Sequence, residues 1–169
     1  LDKTNKYIYL HSTADPNFKA VKHNGLSRAL LLRNLEYVVF NDLEIKGGYF
    51  TGVTVDGCKN ITFDNMKIGV MNAVGITISK YLTARSENVK ITNSLFDTEF
   101  IFDYRKCTRN NSDAEQRGGS DAIRWYDGNG GEVSNNIIKN WTHSSCSLTA
   151  DEGDFEISGI KVFNNYFTL

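Results

Sequence analysis

Arg124, Tyr126, Asp127, Asp151 and Glu152 are the residues on which chemistry can be built. Carboxylates paired across a scissile bond do acid and base work: one protonates the leaving group while the other activates water or attacks. Asp127, Asp151 and Glu152 are the candidates for such a pair. A fixed cation can instead neutralise a ligand carboxylate while a base removes the proton α to it. Arg124, Lys80, Arg105 and Arg117 can supply that cation, and Tyr126 a ring to stack on a ligand. Each of these residues also has a plain reading, because the solvent face of a sheet has to carry polar and charged groups.

His143 is one of three histidines, a candidate base set against the plainer reading of a turn histidine. Trp141, in the turn IIKNWTHSS, is the expected exposed aromatic. The run DEGDFE at 151–156 groups Asp151, Glu152 and Asp154, and clustered carboxylates suit a hard cation such as calcium. The run lacks the spacing of an EF-hand, and a solvated turn is the competing reading.

The elements that must position these residues form an internal repeat. The units VVFNDLEI (38–45), ITFDNMKI (61–68), VKITNSLF (89–96), GEVSNNII (131–138) and IKVFNNYF (160–167) align, mostly apolar at their first, third and eighth positions. The fifth position reads Asp42, Asn65, Asn93, Asn135, Asn164. A second strand precedes each unit: ALLL (29–32), GVTV (52–55), GITI (75–78), AIRW (122–125) and SLTA (147–150). These alternate with period two, as half-buried strands do. Leu30, Val53 and Ile76 are 23 residues apart, the length of one minimal coil.

Period two excludes helical solenoids, and hairpin turns do not recur between the strands. The pattern predicts an all-β chain: a right-handed, single-stranded parallel β-helix of about five to six coils. Stacking places the fifth-position residues in a ladder, where Asn and Asp tolerate the left-handed backbone of a turn. With Ile123 and Trp125 pointing into the core, Arg124 points out beside Thr54, Thr77 and Thr149. The next outward columns read Asp56, Ser79, Tyr126, Asp151 and Gly57, Lys80, Asp127, Glu152.

The asparagine column, the GVTV and GITI strands and the NNxI or NNYF endings resemble the pectate-lyase-like superfamily of right-handed β-helix proteins. The resemblance covers residues 28–169 and is specific for fold rather than activity. It implies a polysaccharide or oligosaccharide ligand, a secreted or cell-surface setting, and calcium as the cation that often accompanies uronate lyases. A polysaccharide lyase, a glycoside hydrolase and a non-catalytic carbohydrate-binding or adhesive module all stay open. So does a structural solenoid that assembles through its end.

Function in a solenoid sits where the repeat is interrupted. From Phe96 to Ile123 the chain takes 27 residues, where Ile45 to Val53 and Ile68 to Ile76 take 8, so about 19 are extra. This insertion, 97–121, is charged, carries Arg105 and Arg117, and is expected to overhang the Arg124 face. Residues 1–27 read as an edge strand, loop and cap. Cys107 and Cys146 are placed for a tether of the insertion, with Cys58 stacked inside. A net charge of −1 gives no basic stripe for nucleic acid, and no apolar run is long enough for a membrane span. The last unit runs to Leu169 without a polar cap, so the expectation is continuation in a larger polypeptide or end-to-end self-association.

Overall fold

The computed structural model describes residues 27–47, 50–69, 73–99, 121–141, 143–150 and 156–168. They form a right-handed parallel β-helix of about five coils, each coil giving one strand to each of three sheets. The first sheet stacks β1 (Arg28–Arg33), β4 (Thr51–Asp56), β7 (Val74–Ser79), β10 (Asp121–Trp125) and β13 (Ser144–Leu148). The second stacks β2 (Glu36–Asn41), β5 (Lys59–Asp64), β8 (Glu87–Thr92), β11 (Gly128–Ser134) and β14 (Ile157–Phe163). The third stacks β3 (Glu44–Lys46), β6 (Lys67–Gly69), β9 (Leu95–Asp97), β12 (Ile137–Lys139) and β15 (Tyr166–Thr168). Every pairing between these strands is parallel, and Leu30, Val53, Ile76 and Ile123 stand in one column.

The fifth-position column turns the chain as its residue types require. Asp42, Asn65, Asn93, Asn135 and Asn164 have φ of 58, 51, 52, 56 and 54°. That left-handed region is costly for most side chains and tolerated by Asn and Asp. A second left-handed column bends the middle strands at Tyr37, Asn60, Asn88, Gly130 and Gly159. The cross-strand pairing skips these residues, so each is a local break in the ladder. Its residue types are too mixed to form a repeat in the sequence.

One position beyond the fifth lies a buried polar ladder. The Met66 amide donates to Ser94 Oγ at 3.0 Å, the Ser94 amide to Asn136 Oδ1 at 2.8 Å, and the Asn136 amide to Asn165 Oδ1 at 3.0 Å. Asn136 Nδ2 also donates to the Ile91 carbonyl at 2.9 Å, which satisfies a side chain only 1% exposed.

The cylinder is filled by Ile61, Phe63, Ile68, Ile76, Ile78, Ile91, Phe96, Ile123 and Trp125, all essentially unexposed. Phe40 and Phe63 stack from adjacent coils with ring centroids 5.2 Å apart. Trp125 takes the inward position read from its strand. Glycine makes the room, since a Cβ on Gly131 would stand 2.9 Å from the Trp125 ring.

Trp141 corrects the expectation of an exposed aromatic: it is 2% exposed and belongs to the core. The indole fits because Gly75 has no side chain, and a Cβ there would come within 3.1 Å of Trp141. The fifth strand of the first sheet is also displaced from its expected register. Ile123, Arg124 and Trp125 pair with Cys146, Ser147 and Leu148, so Ser147 rather than Thr149 stands beside Arg124. The two-residue slip keeps the same residues inward, which is why alternation alone did not expose it. Residues 1–26, most of the insertion and 151–155 lie outside the described residues.

Candidate functional site

Arg124 sits between the buried Ile123 and Trp125, so its side chain leaves the opposite face of the first sheet. Its strand neighbours there are Thr77 and Ser147, with Thr54 one coil further. Thr54 is closed over, whereas Thr77, Arg124 and Ser147 are half-buried.

Asp121 organises this face. It opens β10 and is 1% exposed, the kind of burial a carboxylate accepts only with partners. Its Oδ1 lies 2.7 Å from His143 Nδ1. Its Oδ2 accepts from the Arg124 guanidinium through Nε, pairs with Nη2, and accepts from Ser147 Oγ at 3.3 Å. Arg124 Nη1 donates onward to Tyr126 Oη at 2.7 Å, with the guanidinium 5.5 Å from the ring centroid. Burial works against the Arg124 charge, but the Tyr126 hydroxyl and the Asp121 carboxylate outweigh it and raise its pKa.

The fifth-coil register brings His143 into this group. Asp121 pairs with Ser144, so the residue before Ser144 stands beside the carboxylate. The Asp121 side chain is closed off, while the imidazole is 64% exposed. With a carboxylate at Nδ1, the neutral ring carries its proton there and leaves the Nε2 lone pair free. Among the described residues nothing bonds Nε2.

The structure therefore brings together Arg124, Tyr126 and His143 from the sequence candidates and adds Asp121 and Ser147. Asp127 corrects the reading that placed it on this outward face: it is fully buried. Its Oδ2 accepts from the Glu156 amide at 3.3 Å and its Oδ1 stands 3.5 Å from Arg85 Nε, so it fastens the turn between coils. Lys80 is half-buried just past β7. Arg105, Arg117, Asp151, Glu152 and Asp154 lie outside the described residues, as does Cys107. Among the described residues no three His, Cys, Asp or Glu side chains converge as metal ligands.

The expected tether involves Cys107, which lies outside the described residues, and Cys146 is a free thiol packed against the core. Burial, reinforced by the Asp121 charge, pushes its pKa up to about 11. It is a packing thiol rather than a nucleophile at neutral pH.

Asp121 had a signal that went unused. It stands three residues before Arg124, at the point where the charged insertion returns to the barrel. With SLTA taken as the fifth strand, Cys146 would have stood at its level and His143 would have been out of reach. In comparisons with known proteins, no family model matches the chain, and neither a curated protein nor a solved structure matches it significantly.

Proposed function

We propose that the protein is a carbohydrate-active β-helix of the pectate-lyase-like type, secreted or on a cell surface. It acts on or binds an extracellular polysaccharide along the outer face of the first sheet. The observation that carries this reading is the buried Asp121 holding Arg124, His143 and Ser147 on that face, with Tyr126 alongside. Repeated strands give a flat, extended surface that matches a linear polymer, and hydroxyls, a guanidinium and a phenol ring are the groups that bind sugars.

The test is a plate of acidic and neutral polysaccharides, read for binding, reducing ends and unsaturated uronate, with and without calcium. Binding that weakens at least tenfold in Arg124→Ala supports the reading. Silence from the wild-type protein on all of them overturns it.

A structural solenoid is the second reading, favoured by the coil of β13, β14 and β15. Leu148, Val162, Phe163, Tyr166 and Phe167 are exposed there, and an open groove of about 430 Å³ is lined by Ser145, Cys146, Leu148, Val162 and Phe167. Among the described residues the three strands are the edges of their sheets, as are β1, β2 and β3 at the other end. A second copy stacked end to end would continue all three ladders.

A further inference from the structure

We propose that Asp121 and His143 form a catalytic dyad that hydrolyses a neutral ester substituent, such as an O-acetyl group, on the polysaccharide; this rests on the carbohydrate reading above. His143 Nε2 is the base, Arg124 holds the oxyanion, and Asp121 is the positioning residue.

The geometry comes first. A carboxylate 1% exposed lies 2.7 Å from the Nδ1 of an imidazole whose side chain is 64% exposed. That arrangement fixes the tautomer, steadies the ring and presents Nε2 to the ligand side. A histidine that served only to neutralise Asp121 would be redundant, since Arg124 already does so. The guanidinium spends three of its five N–H groups, on Asp121 through Nε and Nη2 and on Tyr126 through Nη1. Among the described residues the other two have no partner and can meet an oxygen that arrives beside them.

Charge then selects the substrate. Arg124 and Asp121 already offset each other's charge as an ion pair. A uronate carboxylate docked on Arg124 would leave a net negative charge on a half-buried face. A neutral ester adds no charge on binding. In its transition state a new oxyanion and a new imidazolium appear together, and the cluster stays balanced. Hydrolysis of a glycosidic bond would need a second carboxyl group as proton donor. Among the described residues the carboxylate hydrogen-bonded within this cluster is Asp121, and both its oxygens are occupied. Ser147 donates to Asp121 and not to His143, so the nucleophile is water.

The step closes without another reactant. Nε2 takes a proton from water as its oxygen bonds to the ester carbonyl carbon, and the carbonyl oxygen becomes an oxyanion against Arg124. The intermediate collapses, the carbon–alkoxy bond breaks, and the leaving sugar oxygen takes the proton back from Nε2. Acetic acid, which gives its remaining proton to solvent and becomes acetate, and a free sugar hydroxyl are released.

The experiment uses the whole chain with p-nitrophenyl acetate and with acetylated xylan, beside binding to the deacetylated xylan. Wild-type protein is expected to release acetate from both. His143→Gln, at an exposed position, lowers turnover about 10²–10⁴-fold while the urea midpoint stays that of the wild type. Added imidazole restores part of the turnover in His143→Ala. Asp121→Asn lowers kcat while KM stays, the split expected of a positioning residue. Equal turnover in His143→Gln, or no acetate from either ester, overturns the dyad. Ester hydrolysis without binding to any polysaccharide supports the dyad and overturns the carbohydrate reading.

Discussion

Asp121 serves three side chains with one carboxylate, and this economy defines the site. Removing one partner of a buried charge costs more than the pair itself contributes, because the other is left unpaired. At the same scale, glycine decides which aromatics enter the core. Gly75 sits beneath Trp141 and against the next coil, where a Cβ would stand 2.5 Å from the Ala122 carbonyl. That clash is with backbone, which cannot swing away. Gly75→Ala is therefore expected to destabilise the fold by about 1–3 kcal/mol, read from the urea midpoint. An unchanged midpoint would show that the β7–β10 spacing is softer than this packing implies.

The turns between strands are the elements that set register. Asp64 accepts from Thr92 Oγ1 at 2.7 Å and from Asn93 Nδ2 at 2.6 Å, across to the next coil. These donors hold its pKa below the ordinary carboxylate value. Burial opposes ionisation of Asp97, but Lys139, the Glu99 amide and Asn140 outweigh it and its pKa is lowered too. A carboxyl whose pKa is lower folded than unfolded contributes stability above the unfolded value. That contribution is lost as pH falls through the folded one. The urea midpoint should hold from pH 7 to about 5 and fall below about pH 4. Asp64→Asn should be less stable at pH 7 and lose less on acidification. A variant with the same acid loss as wild type would exclude Asp64 as a contributor.

Over the whole molecule, stability is a sum of coils and of the interfaces between them. The coils of β4–β6 and β7–β9 have neighbours on both sides, and Val53, Val55, Ile61, Phe63, Ile76, Ile78, Val89 and Ile91 are fully buried within them. Among the described residues β13, β14 and β15 have a neighbour on one side, and Leu148, Val162, Phe163 and Phe167 are 43–48% exposed. Amide exchange should be slowest in β5, β7 and β8 and fastest in β13–β15, with protection graded along the axis. Uniform protection would mean that the outer coils are covered in solution, as end-to-end stacking would cover them.

The sequence by itself determined the repeat. Alternating apolar residues, the 23-residue spacing and the Asp42, Asn65, Asn93, Asn135, Asn164 column specify parallel coils, because each is a local rule written in residue type. It also put Arg124 and Tyr126 on the outer face. The second bend at Tyr37, Asn60, Asn88, Gly130 and Gly159 was not legible, since five positions of mixed type share a backbone angle rather than a side chain. Trp141, in a segment read as an exposed turn, was drawn inward by space that Gly75 leaves on another coil. The site itself was a tertiary decision. Asp121 and His143 are 22 residues apart, and a two-residue change in the register of β13 separates or joins them. Alternation cannot sense that change because it preserves the buried face, and the pairing of Cys146 with Ile123 and of Leu148 with Trp125 exists only once the coils are stacked.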